Sequence, residues 1–413
     1  MRILLISQIY LPEIGALANR MYPIVRQLVA EGHEVFVATG MPNYPRGVVF
    51  PEYQGKRFVR ESKDGSTILR TAYFTAPRNQ SKATQLLSYL SFIPAVFHSG
   101  LRAGRVDVVF VTSPPLFPAI AAILLAKLWK AKLVADIRDL WPDEFVAYGG
   151  MSEQSIPVRL MRAIERWTYR SADCICATTR AILDTVVERG TPAEKMMLAP
   201  NGADLDLFRP LPRENPQTAP YPFGGKFVVM YSGLFGIKHG LEVLLEAAFL
   251  LRDEPTFLFF LVGGGARQDA LIERAAELQL ENVLFAGEQG VEEIPWLLAA
   301  ADVCFAAVRP EAYAAKLISV KIFEYLACEK PVLGCLHGES ARVLEESGAG
   351  VVVPPGDARA LAAAILEMYH RPEERMEMAR RGRAFVEANY SRSETSTRMT
   401  RKMEELCSPA AHS

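Results

Sequence analysis

Arg2–Thr39 reads RILLISQIYLPEIGALANRMYPIVRQLVAEGHEVFVAT. RILLIS is an apolar run without clean alternation, the pattern of a central parallel strand buried on both faces. A loop, YLPEIGALANR, leads into the helix MYPIVRQLVAEG, which ends at Gly32. His33-Glu34 then opens a second strand, VFVAT. A strand–loop–helix–strand unit of this kind begins a doubly wound α/β domain. Gly15 stands just before the helix, where backbone can approach a phosphate or a sugar. Many strand–helix turns also carry a glycine for the turn alone.

The alternation continues outward from this unit. DVVFVTSPP is a strand ending in a Pro-Pro turn, and a helix runs from there to Trp129. KLVADIRDLWPDEF is the next strand with its exit loop, which brings Arg138, Asp139 and Asp143 to the C-terminal edge of the sheet. Ligands bind at that edge in open α/β folds. A local Arg–Asp salt bridge is the plainer account of the same residues. Residues 41–66 form a long loop with a hairpin. MLAPNGADLDLF holds a tight turn at Pro200-Asn201-Gly202, with Asp204 as the cap of a short helix. The Pro-dense stretch 209–225 reads as an interdomain linker.

The chain has 413 residues, which favours two domains of about 200 residues each. The net charge of −1 hides an asymmetry: residues 1–204 hold 24 Lys/Arg against 18 Asp/Glu, and the remainder 22 against 29. A basic first half suits an anionic partner, such as a phospholipid surface or a pyrophosphate-linked acceptor. The basic residues are dispersed and carry no recognition motif, which argues against nucleic acid. Six cysteines without zinc-ribbon spacing fit a reducing cytoplasm. Ile3–Ile6 is too short for a signal peptide, and Leu116–Leu128 is too short for a membrane span. Lys82–Arg105 is helical and largely apolar, with Arg78, Lys82, Arg102 and Arg105 at its ends. It reads either as a membrane-docking amphipathic helix or as a helix packed on the sheet and kinked at Pro94.

The second half repeats the pattern. FVVMYSG is a strand, and LFGIKHG is a glycine-bounded loop carrying Lys238 and His239 ahead of a helix, a phosphate site in outline. Gly263-Gly264-Gly265 is half of a dinucleotide fingerprint, without its spacing. AKLISVKIFEYLACEKPVLG, residues 315–334, places Lys316 at an entrance and Glu324 in a short helix that Pro331 stops. Backbone amides near Ser319 and Val320 suit a diphosphate, and the Glu324 carboxylate suits ribose hydroxyls. The alternative for Glu324 is a helix-terminal acid favoured by the dipole.

In order along the chain, RILLISQIYLPEIG, GHEVFVAT, RDLWPDE, PNGADLDLF, YSGLFGIKHGLEVLLEA, FLVGGGA, NVLFAG, FEYLACEKPV and GAGVVVPPGD cover nearly its whole length. This set resembles the retaining glycosyltransferases of GT-B architecture, family 4 type. Within them it is similar to the amino-sugar (fucosamine-type) transferases of bacterial surface-polysaccharide assembly. The resemblance implies an α/β fold of two Rossmann-like doubly wound domains facing across a cleft. It implies an acceptor-binding domain at 1–208, a linker at 209–225, and a nucleotide-sugar domain at 226–385. A C-terminal helix and tail, 386–413, would pack back on the first domain. The implied donor is a nucleoside-diphosphate sugar, UDP-linked, and the implied acceptor a lipid-linked saccharide at the inner membrane face. No cofactor, metal or nucleic acid is expected.

By the same resemblance the donor would meet Gly15, Lys238, His239, Gly287, Lys316, Ser319, Val320, Lys321 and Glu324. Arg138 and Asp139 would position the donor sugar or the acceptor, and no nucleophile is assigned. The sequence departs from the family pattern in places. Lys316 stands where a glutamate is expected, Leu234 follows Gly233 in place of an arginine, and His239 takes the place of a lysine. Arg138-Asp139 replaces a histidine–aspartate pair. Two other functions compete. A UDP-sugar 2-epimerase would need acid and histidine groups for proton abstraction, and a sugar-nucleotide-binding scaffold would need no chemistry.

Overall fold

The computed structural model describes residues 1–13, 15–75, 77 and 82–408. The chain divides into two compact units, Met1–Pro200 with Ser393–Ser413, and Asn201–Arg392.

The first unit runs β1 (Arg2–Ile6), α1 (Ala16–Ala30), β2 (Glu34–Gly40), β3 (Phe58–Lys63), β4 (Ser66–Thr71), α2 (Lys82–Ala103), β5 (Val108–Ser113), α3 (Pro118–Trp129), β6 (Lys132–Ile137), α4 (Asp143–Ala147), α5 (Ile156–Ser171), β7 (Cys174–Ala177), α6 (Arg180–Glu188) and β8 (Met196–Leu198). Its sheet order is β3-β4-β2-β1-β5-β6-β7-β8. All pairings are parallel except the β3–β4 hairpin, which turns at Asp64-Gly65, both at positive φ. β1 is buried on both faces, as its unbroken apolar run requires. Ile3 and Leu5 face a core shared with Met21 and Ile24 of α1. Leu4 points the other way, toward α2 and α3, where Gly100 lies close to Leu4 and Leu125.

The second unit runs β9 (Phe227–Ser232), α7 (Glu242–Leu250), β10 (Phe257–Val262), α8 (Gln268–Glu277), β11 (Val283–Gly287), α9 (Ile294–Leu298), β12 (Val303–Ala307), α10 (Val320–Ala327), β13 (Val332–Cys335), α11 (Gly338–Ser347), β14 (Gly350–Val353), α12 (Ala358–His370) and α13 (Pro372–Asn389). The strand order β11-β10-β9-β12-β13-β14 is all parallel. It reverses between β9 and β12, the point where Rossmann-like sheets bind ligands. Alternate residues of β9 feed two cores: Val228 and Met230 pack with α10 and α13, and Val229 and Tyr231 with α7 and α12.

The last helix, α14 (Arg392–Cys407), belongs almost wholly to the first unit. Its Met399 and Met403 sit in the core with Ile3, Leu5 and Val108. His33 Nε2 lies 3.0 Å from Glu404 Oε1, which ties the helix to the start of β2.

Four sequence-based readings shift. The chain leaves the first unit at Pro200, not at 208. Ala203 N–H donates to Tyr390 O at 2.9 Å and Arg392 N–H to Ala203 O at 2.9 Å, so the two crossing segments are stitched together. The Pro-dense 209–225 stretch is no free linker: Phe208 and Phe223 bracket it and both lie in the second unit's core. Asn215 folds it into turns and donates to Trp296 O at 3.0 Å. Asp204 caps a turn and not a helix, accepting from the Asp206 and Leu207 amides at 3.2 Å. α10 ends at Ala327, ahead of Pro331, where Glu329 turns to a φ of 53°. Arg78 and the Lys82 side chain lie outside the described residues.

Candidate active site

In the second unit the C-terminal ends of β9, β10 and β11 are joined through glycine loops. Gly233 N–H donates to Val262 O at 2.9 Å, Phe235 N–H to Gly264 O at 2.7 Å, and Gly263 N–H to Gly287 O at 2.8 Å. Gly263 has a φ of 135°, and a Cβ there would fall 1.9 Å from Gly233 O. The Gly-Gly-Gly run thus serves close loop packing, which is why it lacks the dinucleotide spacing.

After β9 the chain makes a short 3-10 turn, Ile237–His239, that carries two of the expected cations. Arg309 N–H, just past β12, donates to Lys238 O at 3.0 Å, so both strands of the switch point hold this turn. Lys321, in the first turn of α10, reaches the same edge: a Cβ on Gly233 would lie 3.2 Å from its Nζ. Its ammonium is 4.9 Å from the centre of the Tyr231 ring, a cation–π contact. Burial lowers the Lys321 pKa to about 8, with Glu324 opposing the shift. The charge of Lys321, then burial and the charge of Lys238, push His239 down to about 2. His239 is therefore a neutral imidazole at working pH, and the positive charge at this edge comes from the two lysines.

α10 adds its amino end. Ser319 N–H donates to Ser340 Oγ at 3.1 Å, and Ser340 Oγ donates to Leu317 O at 2.9 Å, which fixes the entry to the helix. The first amides of a helix have no partner within it and carry the positive end of the dipole. Among the described residues, Ser319 Oγ and His239 Nδ1 are buried without a hydrogen-bond partner. Buried polar atoms are rarely left so, and both belong to elements that form this edge. Glu324 lies one turn into α10, about a fifth exposed, with Arg392 Nη2 4.0 Å from its Oε1. Burial raises its pKa, opposed by Arg392 and Lys321. Tyr325, on the inner face, accepts from Ser232 N–H at 2.8 Å and pins α10 to the end of β9.

The structure thus brings Lys238, His239, Ser319, Val320, Lys321 and Glu324 to one end of one sheet. Gly287 closes β11, two strands from β9. Lys316 ends a separate 3-10 turn, Ala314–Lys316, whose backbone packs against Gly338.

Gly15 and Arg138 belong to the first unit. They line a cavity of about 230 Å³ at the ends of β1, β5 and β6, with Gln8, Tyr44, Tyr89 and Trp141. Arg138 Nε donates to Thr112 Oγ1 at 3.0 Å, and Nη2 to Pro114 O at 2.5 Å. Burial lowers its pKa, with Asp139 and Asp136 opposing. Asp139 is half-buried beside it and is not among the residues lining the cavity.

Two buried groups behind this cavity were missed. Asp136 binds Arg20 through two hydrogen bonds, 2.9 and 2.6 Å, and accepts from Thr112 Oγ1 at 3.1 Å. Arg20 also donates to Ala199 O at 2.9 Å. Arg20 follows Leu17 by three residues and precedes Ile24 by four, so helical spacing already put it on the buried face. Glu13, fully buried, accepts from the Tyr10, Asn43 and Tyr44 amides. No periodicity signals a side chain that folds a loop around itself.

Residues 15–202 match the family described as "Glycosyl transferase 4-like domain", and residues 215–385 match "Glycosyl transferases group 1". The chain belongs to the GT-B glycosyltransferases. A relative of this glycosyltransferase in Escherichia coli (strain K12), named putative colanic acid biosynthesis glycosyl transferase WcaI, is 29% identical over 383 residues, 90% of this chain and 93% of that one. Among solved structures, sucrose-phosphate synthase from Thermosynechococcus elongatus superposes with a TM-score of 0.78 at 21% identity, covering 98% of each chain. Anabaena Alr3699/HepE in complex with UDP-glucose gives a TM-score of 0.72 at 18% identity, covering 98% of this chain and all of that one. These likenesses carry the GT-B fold.

Proposed function

We propose that this glycosyltransferase moves a sugar from a UDP-linked donor to a lipid-linked saccharide in surface-polysaccharide assembly, with retention at the anomeric carbon. The second unit holds the donor and the first unit the acceptor. One observation carries the reading: Lys238, Lys321 and the amino end of α10 converge at the β9–β12 switch point with Glu324 one turn behind. Two lysines and helix amides meet a diphosphate, and the carboxylate behind them takes ribose hydroxyls.

The leaving group is a nucleoside diphosphate whose charge grows as the glycosidic bond breaks. Fixed cations and amides aimed at that charge lower the barrier. They fill the role that a divalent ion fills in other transferases, so transfer proceeds without a metal. His239 is neutral and adds no charge to this edge. Arg138, in its small aromatic-lined cavity, faces the acceptor. The Escherichia coli relative is named for colanic acid biosynthesis and the Anabaena structure holds UDP-glucose; both favour this donor and acceptor class. The epimerase alternative is not favoured, since both family models are glycosyltransferase models.

The test is release of the free nucleoside diphosphate from a panel of UDP-, GDP- and dTDP-sugars, with a lipid extract as acceptor and EDTA present; the UDP-sugars are expected to react. UDP release that depends on the acceptor, with the anomeric configuration kept in the product, is expected. Interconversion of the donor sugar without UDP release would establish the epimerase, and binding without either reaction would establish the scaffold.

A further inference from the structure

We propose that the outer face of α2, α3 and α5 docks on an anionic lipid membrane. These helices lie side by side: α3 packs against both α2 and α5, and Lys127 of α3 stands 5.6 Å from the Trp167 ring centre of α5. They are 22, 12 and 16 residues long. Together they hold seven Lys/Arg and a single acid, Glu165. Glu165 is buried and paired with Arg162 and Arg189. The outer face therefore carries no acidic side chain among its described residues, in a chain where acids outnumber bases by one.

Apolar side chains share that face. Leu128 of α3 is 60% exposed, and Ile156 and Leu160 of α5 are 80% and 56% exposed. Of the sixteen large hydrophobic residues exposed among the described residues, eight lie on these three helices. On α5 the spacing 156, 160, 163 puts apolar residues in a stripe, with exposed Arg159, Arg166 and Arg170 along it. No ion pair occupies these three arginines among the described residues. A groove of about 620 Å³ follows the stripe. In α13, by contrast, Arg380 and Arg383 pair with Glu377 and Glu387, the ordinary arrangement of a solvated helix.

An apolar stripe flanked by unpaired arginines matches a lipid interface, where the aliphatic groups enter the acyl boundary and the cations meet headgroup phosphates. A second copy of this chain fits poorly, because a two-fold contact would press the same basic face against itself. Nucleic acid would use the arginines and leave the leucines in water.

The experiment is co-sedimentation of the full chain with phosphatidylcholine vesicles, neutral or containing roughly one-third phosphatidylglycerol. The expected result is binding that requires the anionic lipid and weakens with salt. The combination Arg159→Gln, Arg166→Gln and Arg170→Gln should lower the partition coefficient about a hundredfold, near fivefold for each charge. Ile156→Ser with Leu160→Ser should lower it about tenfold. All five residues are at the surface, and an unchanged circular dichroism melt would show the fold intact. The proposal is overturned if the wild type does not prefer anionic vesicles, or if both variants bind as well as it does. It is also overturned if the wild type is a dimer that the Ile156→Ser, Leu160→Ser variant makes monomeric. Binding is read without donor or acceptor, so its failure would leave the transfer reading untouched.

Discussion

Arg20 and Lys321 are both desolvated cations near the C-terminal edge of a parallel sheet, one in each unit, and their charges are handled differently. Burial works against the Arg20 charge, but Asp136 overcomes it and holds the guanidinium above its ordinary pKa. Its donors are spent on Asp136, Ala199 and Pro200. Lys321 has an aromatic ring on one side and an opposed, more distant carboxylate, and its pKa falls to about 8. The first cation is satisfied by the fold, and the second is left for something the fold does not contain. A buried charge that the protein neutralises is architecture; one that it destabilises is a candidate ligand contact.

The sharpest way to break this contrast is at Asp136. Asp136→Ala leaves Arg20 buried and unpaired and should cost about 3–5 kcal/mol, a loss read by urea unfolding. Adding Arg20→Met should recover part of it, and no recovery would mean that the two do not act as a pair. Lys321→Met should do the reverse. Unfolding free energy should hold or rise, while kcat/KM for UDP release falls by about 10²–10³. Glu324→Gln should weaken donor affinity by about tenfold through the ribose contact, measured by calorimetry. Loss of stability without loss of activity in Lys321→Met would put Lys321 in the same class as Arg20.

The pH dependence sharpens the same point. A lysine whose folded pKa lies below its unfolded value binds its proton less well when folded. The ligand-free protein should therefore gain stability as pH rises from about 8 toward the usual lysine value of 10.5. Donor affinity should fall over the same rise, and Lys321→Met should flatten that fall. The smallest effect is expected at Lys316, which sits in a separate turn. Lys316→Gln should shift donor affinity by no more than about threefold.

Much of the fold was legible because parallel strands buried on both faces read as unbroken apolar runs, and RILLIS, FVVMYS and FLFFLV are such runs. The meeting of Lys238, Lys321 and Glu324 at one sheet edge was legible because they stand next to sharp strand–helix boundaries. The second unit's start was not, since proline density looks alike in a linker and in turns packed on a core; Phe223 was the residue that told them apart. Arg20 and Glu13 were hidden for another reason. The carboxylate that pairs with Arg20 is 116 residues away, and the Asn43 and Tyr44 amides that Glu13 binds are 30 and 31 away; pairing at that range is a property of the sheet order, which a local pattern does not carry.

The return of the chain into the first unit bears on how the protein is made. Met399 and Met403 complete a core whose other members include Val108, made 291 residues before Met399, and Ile3, made 396 before it. The second unit is contiguous, from Asn201 to Arg392, and can close as soon as it emerges. The domain whose synthesis starts first is thus the last to be finished, and until then the core around Ile3, Leu5 and Val108 lacks Met399 and Met403.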